Sequence, residues 1–75
     1  MRVIFDPLAQ AEFVAAQRYY EEQRTGLGEN FAESVRQGLR LALALPRSFP
    51  LEIGDVHRVV LRRFPFNLLY SVEAD

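Results

Sequence analysis

The 75-residue chain contains no cysteine and no lysine. Without cysteine there is no disulfide framework and no thiolate zinc site. A single histidine, His57, is too few for a His-rich metal centre, so no metal or cofactor is expected. The missing cysteines fit a reducing cytosol. The longest apolar run, Leu41 to Leu45, is far too short to cross a bilayer. The opening residues, MRVIFDP, lack the apolar core of a signal peptide. A cytoplasmic protein is therefore the expectation. There are no repeats, low-complexity tracts or long linkers, so residues 1–75 read as one domain.

The lack of lysine leaves arginine as the only fixed cation. All nine Lys-plus-Arg positions are arginine. Genome composition is one explanation. Bidentate pairing of guanidinium with carboxylate or phosphate is the other. The net charge of −1 provides no bulk attraction to nucleic acid. Acidic residues concentrate in the two expected helices, whereas Arg58, Arg62 and Arg63 cluster in the hairpin of the last third. A chain of this size buries only about 60% of its unfolded surface. With neither disulfide nor metal, a second polypeptide is the remaining staple, either another copy or a different protein.

Arg2 to Phe5 reads as a first strand. Asp6-Pro7 is a helix start, with a capping carboxylate and a proline at the first helical position. The first helix is expected from Pro7 to about Arg24, with Leu8, Ala9, Phe13, Ala16, Tyr19 and Tyr20 on one side. Thr25-Gly26-Leu27-Gly28 breaks the pattern through a left-handed glycine. A second helix over Glu29 to Ala44 turns Phe31, Val35, Gly38, Leu39, Ala42 and Leu43 inward. Gly38 is expected where the first helix approaches, through Ala9 or Ala16. Pro46 to Gly54 reads as a loop.

Val56 to Arg62 and Phe66 to Glu73 alternate as two strands around Phe64-Pro65. Setting Arg62 opposite Asn67 places Leu61 by Leu68, Val59 by Tyr70 and Arg58 by Ser71. The outer face would then be polar, with Arg58, Arg62, Asn67, Ser71 and Glu73. The fold class is α+β, order β-α-α-β-β, with a two-helix hairpin packed on a small antiparallel sheet. The last strand is expected to leave one edge open.

Several side chains carry candidate chemistry. Arg58, Arg62 and Arg63 are candidate partner contacts, or else charges that guard a solvated face. Asn67 and Ser71 share that face, and Tyr19 lies at the rim of the first helix's apolar arc. His57 has no evident nucleophile or carboxylate partner, so a packed structural histidine is expected rather than a general base. Glu12 falls within an apolar arc and is expected to pair with an arginine such as Arg63; an acid–base role is the alternative.

The segments YYEEQRTGLGENF, PRSFP and HRVVLRRFPFNLLYSV, in this order, resemble the ParE/RelE toxins of type II toxin–antitoxin modules. The last segment is similar to the family's hairpin pattern R…L…FPY.I.Y.V, with Phe66 where tyrosine is common. The resemblance covers nearly the whole chain. It implies a cytoplasmic, plasmid-stabilisation-type toxin neutralised by a cognate antitoxin, as a hetero-oligomer or with homodimers. The antitoxin would lie between helix pair and sheet, or add a strand to the open edge of the last strand.

Two activities occur in the family. RelE-like members cleave mRNA on the ribosome without a metal, and ParE-like members bind DNA gyrase. Arg58 matches a basic position of the RelE pattern, and Arg58 and Arg62 are the catalytic candidates on that reading. Asn67 stands where an arginine would follow the aromatic residue, and Val60 stands at a further cation position. The later arginine, the C-terminal tyrosine and the family's last strand and tail would lie past Asp75. The resemblance therefore implies a ParE-like binding protein, short at its C-terminus, with a nuclease or an inactive relic as alternatives.

Overall fold

The computed structural model describes the backbone at residues 2–5 and 7–73, and side chains at 2–5 and 11–73. Strand β1 is Arg2–Phe5, helix α1 Pro7–Gln23 and helix α2 Leu27–Ala44. Strands β2 (Leu51–Ile53), β3 (Val56–Val60) and β4 (Asn67–Glu73) follow. The α+β class and the helical hairpin on an antiparallel sheet are as the periodicity implies. Asp6 and the side chains of Leu8 and Ala9 lie outside the described residues.

The two helices join at Gly26, whose φ of +90° is readily accessible only to glycine. The Glu21 carboxylate reaches back across this turn. It accepts from the Gly26 amide at 3.1 Å and the Gly28 amide at 3.0 Å. It thereby satisfies donors that the start of a helix leaves orphaned. This capping lets α2 begin at Leu27, two residues before the sequence pattern suggests.

Phe31, fully buried, organises the core. The rings of Phe13, Tyr20, Phe64 and Phe66 surround it at centroid distances of 5.1 to 5.6 Å. Burial of such a ring contributes about 1.5–3 kcal/mol. Val35, Ala42, Val59, Leu61 and Leu68 complete the layer between α2 and the sheet.

Two expectations about α2 fail. Leu43 is 58% exposed, since it sits at the margin of the stripe, about 90° from its centre between Val35 and Ala42. Gly38 does not face α1: a Cβ there would meet Leu68 Cδ1 at 2.8 Å and Leu61 Cδ2 at 3.2 Å. The glycine lets the sheet lie close on α2. The tight contact with α1 is at Gly28, where a Cβ would lie 2.9 Å from the Gln17 carbonyl.

The sheet order is β1-β4-β3-β2. The last strand is therefore central, with β1 on one side (Arg2↔Glu73 to Phe5↔Tyr70) and β3 on the other. β1 closes the expected open edge of this strand over Tyr70–Glu73. The expected loop at Pro46–Gly54 also contains β2, which pairs with β3 only at Leu51↔His57 and Ile53↔Val56.

The register between β3 and β4 is Val56↔Ser71, His57↔Tyr70, Arg58↔Leu69, Val59↔Leu68 and Val60↔Asn67. It lies two residues from the expected pairing. A shift of two keeps every side chain on its face, so Val59, Leu61, Leu68 and Tyr70 stay inside. The outer face is less polar than expected. Ile4, Val56 and Leu69 are half-buried on it, and Val60 is 59% exposed.

Tyr70, at the centre of β4, is 1% exposed. Its hydroxyl donates to the Pro46 carbonyl at 2.7 Å, and its ring stacks on His57 at 5.1 Å. His57 Nδ1 bonds the Phe49 carbonyl at 2.8 Å. A carbonyl only accepts, so Nδ1 carries the hydrogen. His57 is thus packed and bonded, as its lack of catalytic partners implies. Replacing Tyr70→Phe strands a carbonyl in the interior and is expected to cost about 1–3 kcal/mol in urea unfolding. An unchanged midpoint would remove Tyr70 as the anchor of the loop.

Candidate functional site

Pro50 decides where the site lies. Its carbonyl accepts from the Arg58 amide at 2.9 Å, but proline has no amide to continue the ladder. Carrying the Leu51↔His57 register further would place Ser48 beside Val60. Instead the chain turns away, and the Ser48 amide donates to Leu45 at 3.1 Å. The upper half of β3 therefore has a neighbour on one side only. The Leu61 amide bonds the Phe66 carbonyl at 3.1 Å. Bonding alternates along an antiparallel strand, so Val59 and Leu61 serve β4 while the Val60 amide and carbonyl point to the unoccupied side.

A groove of about 490 Å³ runs along this side. One wall is α2, through Ser34, Gln37 and Leu41, which recur at helical spacing. Gly38 and Leu61 line its base, and Val60 forms the opposite rim. Leu41, 50% exposed, gives the groove an apolar lip on the helix side, and the exposed Val60 marks its outer-face edge. Arg62 and Arg63, exposed in the turn after β3, line it as well. Neither forms an ion pair among the described residues.

Glu33 also lines the groove but is engaged elsewhere. Arg36 Nε donates to it at 2.9 Å and Arg40 Nη2 at 3.2 Å, and Arg36 also bonds Glu29 at 2.6 Å. The hydrogen bond from Arg36, then that from Arg40, holds the Glu33 carboxyl below its ordinary value. The α2 charges balance among themselves and leave the groove's field to Arg62 and Arg63.

The candidate residues divide among three places. Arg62 and Arg63 belong to the groove. Arg58, Asn67 and Ser71 share the outer sheet face. Arg58 bonds Glu52 there at 3.1 Å, and its Nε is buried without a partner. Tyr19 is 56% exposed on α1, edge-on to Tyr20 at 5.3 Å. Glu12 is exposed, so burial does not force it to pair, and no ion pair joins it to Arg63. The expectation placed it inside because the apolar arc of α1 is broader than the face the core covers.

The wall residues Ser34, Gln37 and Leu41 escaped the sequence reading, as did the Val60 edge. Leu41 carried a signal, being a large apolar residue off the inward stripe. Among the described residues no cluster of His, Asp and Glu is arranged to hold a metal. No described helix is long and apolar enough to cross a membrane. Comparison of the chain with protein-family models, curated proteins and solved structures finds no match.

Because the folded value of Glu33 is depressed, its ionised form adds stability above the ordinary carboxylate range. That stability is lost as pH falls through the folded value. A carboxyl NMR titration is expected to place its midpoint below that of an ordinary exposed glutamate. Glu33→Gln should flatten the acid limb of the stability curve. A midpoint at or above the ordinary value would contradict the Arg36–Glu33–Arg40 arrangement.

Proposed function

We propose that the chain is the toxin-type component of a type II toxin–antitoxin module, ParE-like within the ParE/RelE superfamily. It acts in the cytoplasm by binding protein, with DNA gyrase as the target, and a cognate antitoxin neutralises it. The observation that carries this reading is the groove beside β3, where an unpaired strand edge, an apolar lip and two arginines converge. Such a surface suits recognition of a polypeptide better than turnover of a small molecule. The order of strands and helices, together with the FPFNLLYSV hairpin, supports the family assignment.

An RNA-cleaving site needs cations held around the scissile phosphate and groups that move protons. Arg58 is engaged by Glu52 on the outer face. Arg62 lies in the groove instead. Asn67, opposite Val60, brings no charge. The three do not form one constellation, so binding is the better reading.

Induced expression of the intact gene is expected to arrest growth and inhibit supercoiling by purified gyrase, and coexpression of the adjacent small gene should relieve both. Reversing the groove's charge with Arg62→Glu and Arg63→Glu should weaken the complex with that product by about tenfold or more, with unfolding unchanged. Equal affinity of the folded double variant would remove the groove from the mechanism. Normal growth and unimpaired gyrase would overturn the toxin reading.

A further inference from the structure

We infer that the groove takes its partner as an extended, acidic strand that completes the sheet along Val60 and Arg62. The inference deepens the protein-binding reading of this groove and rests on it, but not on gyrase or on toxicity.

The geometry is that of a sheet with half a strand missing. β2 covers β3 as far as the bond from the Arg58 amide to Pro50. Above it the chain departs, held by the Tyr70–Pro46 bond and the His57–Phe49 bond. The slot beyond Pro50 lies in the plane of the sheet and offers the Val60 amide and carbonyl. An added strand would bond these groups as Ser48 would have done. A helix has free backbone donors and acceptors only at its two ends, so one laid along the slot would leave the Val60 groups unbonded.

Side-chain chemistry selects the sign and pattern of the occupant. Leu41, 50% exposed on the helix side of the slot, suits the inward-facing apolar side chains of an added strand, whereas Val60 lies on the outer face. Arg62 and Arg63 suit carboxylates, with guanidinium favouring bidentate contact. Among the described residues, Glu33 is the one carboxylate lining the groove, and Arg36 and Arg40 neutralise it. The complementary segment alternates acidic and apolar residues and has no proline at its centre, because the ladder needs its amides.

The test is a phage-displayed library of random nonapeptides panned against the folded protein, followed by NMR of the ¹⁵N-labelled protein with the enriched peptides. Acidic, alternating sequences are expected. Saturation should slow hydrogen exchange at the Val60 amide by about tenfold or more, since a bonded amide is protected. Methylating the backbone nitrogen at the peptide's centre should abolish binding. Arg62→Glu with Arg63→Glu should weaken it by a similar factor.

The inference is overturned by enrichment of basic or amphipathic-helical peptides, or by a failure to recover binders. It is equally overturned by binders that leave Val60 unprotected. The two proposals can fail separately. Strand addition without growth arrest would remove the toxin and keep the groove's chemistry. Neutralisation by a partner that leaves Val60 exchanging freely would do the reverse.

Discussion

The bond from the Tyr70 hydroxyl to the Pro46 carbonyl is the constraint from which the molecule's asymmetry follows. At 2.7 Å it ties the centre of the sheet to the loop leaving α2. With His57 stacked on the same ring and bonded to Phe49, it keeps the segment before Pro50 from running along β3. Burial pushes the Tyr70 phenol above its ordinary value, so the hydroxyl stays a donor across the neutral range. The sheet then has a complete lower half and an upper half that ends at Val60. The groove is thus a consequence of where one loop is pinned.

The charges follow the same division. On the outside of α2 the carboxylates of Glu29 and Glu33 are shared by Arg36 and Arg40. Exposed pairs of this kind contribute little to stability, but they cancel the acidic field of the helix. At the turn of the helical hairpin, next to Glu29, Glu21 serves the amides of Gly26 and Gly28. Arg62 and Arg63 lie beside unpaired backbone and exposed Leu41. The near-neutral total charge hides this separation.

Much of the fold was legible because hydrophobic period and backbone chemistry agree. Alternation in β3 and β4 fixed which side chains face inward, and the helical stripes placed Phe13, Tyr20 and Phe31 inside; the joining of Phe64 and Phe66 to that cluster was not foreseen. The pairing was misread by two residues because an even shift leaves the pattern unchanged. The turn decides it, where the Phe66 amide closes on the Phe64 carbonyl at 2.8 Å. The place of β1 beside β4 was not legible, since that pairing joins the two ends of the described chain and no local pattern encodes it. Strand β2 was missed because three residues between Pro50 and Gly54 carry too little periodicity. Arg62 and Arg63 were legible as site candidates. The wall they face was not, because the stripe shows that Gly38 is covered without showing that the sheet covers it.

The central claim is that β3 is satisfied on one side and open on the other above Arg58. Amide hydrogen exchange of the isolated protein, read residue by residue, tests this most directly. Leu61, bonded to Phe66, is expected to be protected, and Val60, its immediate neighbour, to exchange at nearly the rate of an unstructured amide. Equal protection of both in the monomer would show the edge already filled, and the groove would not be a docking site.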